Sequence, residues 1–342
     1  MQSAPAPTGA QAWKVLYHSR AVDGTDIAVS GYVIAPTAAP PAGGFPVLAW
    51  AHGTTGIADQ CAPTRTGSPS DDVPYLADFI ARGYVLAATD YEGLGTPGVH
   101  PYVVGESEAH SLLDNVRAAR NIVDTRAGTQ VVGLGWSQGG HAVLETAELA
   151  AAYAPELQLR GVLAGGPLTE LSSIVPVLEH TPYFGYLFMA GAGFDAAYHT
   201  HVLDDLLTPK AKADISILQT ACAGGILAHY AGIPPDQMLV EDPLLDPDVK
   251  RLAEVNTPGN VKTSVPILIL HGGADAQIPP ILSTLFTQRA CKTGDTVELK
   301  FYPGLGHTGP LETDEPTIMQ WLSDRIAGVP APSSCANIPN PP

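Results

Sequence analysis

The chain has 342 residues, 45% of them hydrophobic and 15% charged, which describes a globular protein able to bury a large core, not a disordered one. Its formal net charge of −17 argues against nucleic acid as a partner and against electrostatic docking on anionic lipid. No apolar stretch approaches the roughly 20 residues that a membrane-spanning helix needs.

Residues 1–11 are rich in Ala, Pro and Gly and are expected to fray. Residues 14–19 and 27–34 carry strand-forming side chains and read as an opening antiparallel pair. A loop at 36–46 leads into the buried strand Val47-Leu48-Ala49-Trp50-Ala51, which ends at His52-Gly53-Thr54-Thr55-Gly56. A helix over 76–82, a strand over 84–89 and a helix over 108–123 follow, the last with apolar positions at Leu112, Val116, Ala119 and Ile122. Residues 161–164 give one more strand. Strands alternating with helices predict a mostly parallel sheet covered on both faces.

From 168 to 257 no strand is evident, and helical runs mix with Gly, Pro and scattered aromatics. This stretch is expected to form a largely helical insertion over the C-terminal edge of the sheet, splitting a core of 12–167 and 258–328. Residues 265–270 and 296–302 then read as strands, 315–326 as a closing helix, and 329–342 as a Pro-rich tail. Gly93 to Gly98 satisfies a G-x-G-x-x-G spacing, but Pro97 and Pro101 do not open a helix, so no dinucleotide or other cofactor is expected. His199 and His201 form an H-x-H with no evident third ligand, and no metal site is assigned.

The most informative stretch is Val131 to Gly140. A β-branched run ends in Gly135-Trp136-Ser137-Gln138-Gly139 and a helix-forming segment follows at once, the context of a nucleophile elbow. The turn forces strained backbone angles on the serine, and the two glycines remove side chains that would collide. Ser137 is the expected nucleophile. A serine hydroxyl needs a base to take its proton and a third group to orient that base, in chain order serine, acid, histidine. The acid should lie just past a later strand, where Leu270-His271-Gly272-Gly273-Ala274-Asp275 supplies Asp275. The base should follow the last strand, where Pro303-Gly304-Leu305-Gly306-His307 supplies His307. His271 is expected to hydrogen-bond within its own loop, and His141 to pack. Two N–H groups must face the oxyanion. The amide of Gln138, at a helix N-terminus, is one. The amide of Thr54 is the other, with Gly53 and Thr55 as competing registers.

The elbow, the acid loop and the histidine loop together resemble the α/β-hydrolases. More narrowly, His52-Gly53-Thr54-Thr55-Gly56 with Cys61-Ala62-Pro63, Asp90-Tyr91-Glu92-Gly93-Leu94-Gly95, and Glu106-Ser107-Glu108-Ala109 with Asp114 to Arg120 resemble the secretory lipase family of bacteria and fungi. The resemblance implies an esterase or lipase with Ser137, Asp275 and His307 as its triad and a helical cap lining the acyl pocket. The expected reaction is hydrolysis of a carboxylic ester with a hydrophobic acyl or aryl portion through an acyl-enzyme on Ser137. An acyltransferase with the same triad and a non-catalytic binding module on this fold are the alternatives. The expected partner is a small-molecule or lipid ester; contact with a lipid interface and oligomeric state stay open. Enlarging Gly185 or Ala190 in the insertion is expected to favour short acyl groups.

Four cysteines allow three pairings, and Cys61–Cys222 with Cys291–Cys335 is the expected one. The first joins the loop after the oxyanion strand to the insertion, and the second ties the tail to the body. The first residues lack a basic region followed by an apolar one, and a tail cysteine would be idle in a reducing compartment. The expected location is therefore secreted or periplasmic.

Overall fold

The structure is a computed structural model that describes residues 1–342. Nine strands form one sheet: β1 (Gln2–Ala4), β2 (Ala10–Arg20), β3 (Asp26–Pro36), β4 (Phe45–Ala51), β5 (Val85–Thr89), β6 (Ala127–Trp136), β7 (Gln158–Gly165), β8 (Ile267–Gly272) and β9 (Val297–Tyr302). Their spatial order is β1-β2-β3-β5-β4-β6-β7-β8-β9. The first three pair antiparallel, β3 meets β5 antiparallel, and every pair from β5 to β9 is parallel.

The parallel strands are apolar on both faces because both are covered. On β4, Val47, Ala49 and Ala51 point into one cluster, with the helices Gly105–Asn121 and Gln138–Tyr153. Leu48 and Trp50 point into the other, with Leu76–Ala81 and Glu315–Ile326. The two-residue period of a strand explains this split. β8 opens at Ile267, two residues later than the side-chain pattern suggests, because Pro266 has no N–H to give the ladder.

One expectation fails at the N-terminus. Gln2–Ala4 do not fray; they pair antiparallel with Ala12–Lys14, and β2 already begins at Ala10. The edge of β2 offers unpaired backbone groups, and backbone pairing needs no apolar side chains.

Between β7 and β8 the chain forms helices and one isolated bridge, Leu207↔Leu239. The helices include Leu171–Leu178, Gly185–Tyr198, Val202–Leu206, Ala223–Tyr230 and Pro247–Val255. They bury an apolar cluster of their own around Phe184, Phe188, Met189 and Tyr230. Both expected disulfides are present, Cys61–Cys222 and Cys291–Cys335. The tail is also held by Ser334, whose N–H donates to Val297 O at 2.7 Å and whose Oγ accepts from Leu299 N at 3.0 Å. No helix is long and apolar enough to cross a membrane.

Register places the site. Ala51 lies level with Gly135 and Trp136 with Gly165, while Gly272 pairs with Tyr302. The segments leaving β4, β6, β7, β8 and β9 thus start from one edge of the sheet.

Candidate active site

Ser137 joins β6 to the helix Gln138–Tyr153 with φ 58° and ψ −116°, a backbone that a non-glycine residue adopts only at a cost of about 1–3 kcal/mol. The flanking glycines are explained by backbone, not by each other's side chains. A Cβ on Gly135 would lie 2.0 Å from Gly139 O, and one on Gly139 would lie 1.8 Å from Ala51 O. The turn is pinned by Ser137 N–H donating to Gly165 O at 2.8 Å and by His141 N–H donating to Ser137 O at 3.1 Å.

Asp275 and His307 meet as the spacing suggested. His307 Nδ1 lies 2.6 Å from Asp275 Oδ2, while His307 Nε2 is buried and has no protein partner. Trp136 Nε1–H donates to His307 O at 3.0 Å, so the residue before Ser137 anchors the histidine loop. The Asp275 carboxylate is fully satisfied. Oδ1 accepts the N–H groups of Gln277 (2.8 Å) and Ile278 (3.0 Å), and Oδ2 lies 3.1 Å from His271 Nε2. Burial works against its charged form, but the hydrogen bonds from His271 and His307 and the charge of His307 prevail. They hold Asp275 well below the usual carboxylate range. His271 is itself buried; its Nε2 also lies 2.9 Å from Ile278 O, within its own loop as expected, while its Nδ1 lies 2.7 Å from Ser283 Oγ on the helix Ile281–Thr293.

Gly53 borders the serine: a Cβ there would come within 3.7 Å of Ser137 Cβ. Thr54 is half-buried beside it, its Oγ1 2.9 Å from Tyr102 Oη. Gln138 opens the helix, where the first amides have no partner within the helix. Its side-chain NH2 is engaged at 2.8 Å by His100 Nε2 and at 2.8 Å by Glu108 Oε1. Behind the loop, Tyr91 donates to His52 O at 3.0 Å, and the buried Asp90 accepts from Thr64 N at 3.0 Å.

Ser137 and Gln138 border a cavity of about 90 Å³, lined by 24 residues of which 19 are hydrophobic. Leu171, Ile174, Leu187, Phe188, Ala190, Phe194 and Val249 of the insertion supply much of its wall. Gly185 is not among the lining residues. A side chain there would meet Ile226 at 3.0 Å, so its enlargement would disturb packing and not the pocket. His199 lies away from this wall, exposed and 3.5 Å from Asp23.

A sequence model of the secretory lipases matches residues 62–334. The chain belongs to the secretory lipase family. A secreted triacylglycerol lipase, LIP2 of Malassezia globosa, is 25% identical over 305 residues, covering 83% of this chain and 66% of that protein. LIP5 of Malassezia furfur, also named a secreted triacylglycerol lipase, is 28% identical over 306 residues (80% and 76%). Lipase 6 of Candida albicans is 24% identical over 359 residues (97% and 76%). The chain spans just under two thirds of the Malassezia globosa LIP2 it matches. Among solved structures, Candida antarctica lipase A superposes with a TM-score of 0.85 at 19% identity, over 100% of this chain and 84% of that one. A rice cell wall degrading esterase, LipA of Xanthomonas oryzae, gives 0.78 at 20% identity, over 94% and 91%. The fold is that of the α/β-hydrolases.

Several residues around the site escaped sequence reasoning. Tyr102 reaches the site only through tertiary contact, and no local pattern announces the bond from the elbow's own Trp136 to His307 O. Glu108, His100 and His141 form a buried polar cluster under Gln138. Glu108 was marked only through the family likeness of Glu106–Ala109, and nothing in the sequence linked it to His100 or His141.

Proposed function

We propose that the chain hydrolyses carboxylic esters through an acyl-enzyme on Ser137, with His307 as general base and acid and Asp275 as the group that orients it. The observation that carries this reading is the Asp275–His307 pair. Its outer nitrogen, Nε2, is buried without a partner, while its loop is tied to Trp136, next to a strained serine. His307 Nε2 takes the serine proton as Oγ attacks the carbonyl, then passes it to the leaving alcohol. It later takes a proton from water for deacylation, and Asp275 steadies the imidazolium throughout. The oxyanion is assigned to the amides of Gln138 and Thr54, the first of them on a helix N-terminus where negative charge is favoured.

The substrate is a lipid or other ester with a hydrophobic acyl portion. The nearly all-apolar cavity beside Ser137 supports this, as do relatives named secreted triacylglycerol lipases. The helical stretch 168–257 acts as the acyl-binding cap. The cavity is smaller than the roughly 150 Å³ that holds a benzene in an engineered apolar core, so a long acyl chain requires the cap helices to part. The two disulfides and the family of secreted relatives support a secreted location. The test is hydrolysis of fluorogenic esters over a range of chain lengths, with Ser137→Ala as control. Turnover that survives in the control would refute the reading.

A further inference from the structure

Glu106-Ser107-Glu108-Ala109 drew attention as a family likeness, yet the proposed triad and oxyanion groups make no use of it. Glu108 lies on the helix Gly105–Asn121 with no solvent exposure. Its Oε1 accepts Val103 N–H at 3.1 Å and Gln138 Nε2–H at 2.8 Å, and its Oε2 faces His141 Nδ1 at 2.8 Å. Oε1 thus takes two definite N–H donors, and Oε2 shares a single hydrogen bond with His141 Nδ1. His141, equally buried, sends its other nitrogen to Asn256 O at 2.8 Å. A carbonyl can only accept, so Nε2 of His141 carries a proton, and where Glu108 is the carboxylate Nδ1 carries one as well.

The surroundings agree. Burial disfavours the His141 imidazolium, but Glu108's charge and hydrogen bond, with Glu145 and the Asn256 carbonyl, raise it to about 9. Glu145, one turn along the same helix and 3.8 Å from His141, is pushed up to about 8, chiefly by burial. His100, the other group on Gln138, lies 2.8 Å from that side-chain amide through Nε2 and from Glu92 O through Nδ1. Burial holds it neutral, with its pKa down at about 4.

The three partners of Glu108 matter because of where each leads. Gln138 carries the amide assigned to the oxyanion. Val103, a β-branched residue held at φ 55°, lines the acyl cavity beside Ser137. Left-handed backbone at such a residue needs external support. His141 reaches Asn256, which ends the helix Pro247–Val255, and Val249 and Ala253 of that helix line the same cavity. Asn256 Oδ1 also accepts Gly105 N–H at 3.0 Å, closing the circuit onto Glu108's own helix.

We propose that Glu108, paired with a doubly protonated His141, is the positioning residue of the site, setting the oxyanion amide of Gln138, the Val103 wall and the seat of the cap helix Pro247–Val255. The assignment of what is positioned rests on the hydrolase reading above; the charged pair itself does not. A buried ion pair is weak evidence for stability, and fixing one arrangement among several is its better-attested use.

The test uses the whole chain labelled with 15N-histidine, with His141→Asn to assign the signal. In the unsubstituted protein near neutrality, His141 should show two proton-bearing ring nitrogens. Glu108→Gln should leave one of them bare and lower kcat on a short-chain ester by about 10- to 100-fold, the cost expected of a small misplacement, with the circular-dichroism spectrum unchanged. A bare nitrogen on His141 of the unsubstituted protein overturns the proposal, even if Glu108→Gln does not fold. Full kcat in a folded Glu108→Gln protein overturns it as well. Absence of any Ser137-dependent ester turnover would instead refute the hydrolase reading, and His141 would still report on the pair.

Discussion

The sheet core and the stretch 168–257 are held by different forces. In the core, backbone sets positions: β4, β6 and β7 are hydrogen-bonded in register, and Ser137 is pinned by main chain at Gly165. Gly135 and Gly139 tolerate no side chain because carbonyls stand in the way. In the insertion, short helices have no ladder to lock them. They hold together through side-chain packing around Phe188 and Tyr230 and through links to the core, chiefly Cys61–Cys222 and Asn256. A backbone-locked region keeps reacting atoms in place, as proximity requires. A side-chain-packed region can be resurfaced and can open. On the function proposed above, this separates where chemistry must be rigid from where selectivity would adapt.

That contrast can be tested from its strongest consequence downward. Ser137→Ala and His307→Ala should each cut kcat on the order of 10⁶-fold, with no further loss in the double variant, because the residues act as a unit. Asp275→Asn should cost roughly 10⁴-fold by presenting the wrong histidine tautomer. Single-turnover kinetics check all three, with circular dichroism showing the fold retained. Cutting the tie between the regions comes next. Cys61→Ser with Cys222→Ser frees a loop of sequence separation 161, which the chain-entropy argument values at roughly 4–5 kcal/mol. The denaturation midpoint should fall, and proteolysis should enter 168–257 before the core. Simultaneous cleavage of both regions would erase the distinction. Ala190→Phe, inside the cavity wall, should shift kcat/KM from long toward short acyl esters by about 10-fold or more, measured on an ester chain-length series. Thr54→Ala should be the mildest, because its hydroxyl is engaged with Tyr102 and the amide remains. A loss of about 10² or more in kcat would show that the hydroxyl also donates to the oxyanion.

The same contrast explains what the sequence disclosed. Apolar runs, the elbow glycines and strand-then-loop placement of Asp275 and His307 are local signals, and the structure brings Asp275 and His307 together. The pairing of Gln2–Ala4 was missed because edge pairing depends on backbone and leaves no side-chain pattern. The insertion was legible as helical but not in arrangement, since helix packing is decided by contacts far apart in sequence. Gly185 illustrates this: it shares its helix with Ala190, yet it faces Ile226 while Ala190 faces the cavity. Glu108 and His141 were illegible for a related reason. Each is an ordinary helical residue alone, and their meaning comes from meeting across two helices.

The most direct test of the account is covalent trapping with a fluorophosphonate ester followed by peptide mass spectrometry. The account predicts one equivalent of label, carried on Ser137 and abolished in Ser137→Ala, with labelling slowed strongly in His307→Ala. Label on another residue, or labelling of Ser137 as fast without His307 as with it, would contradict it.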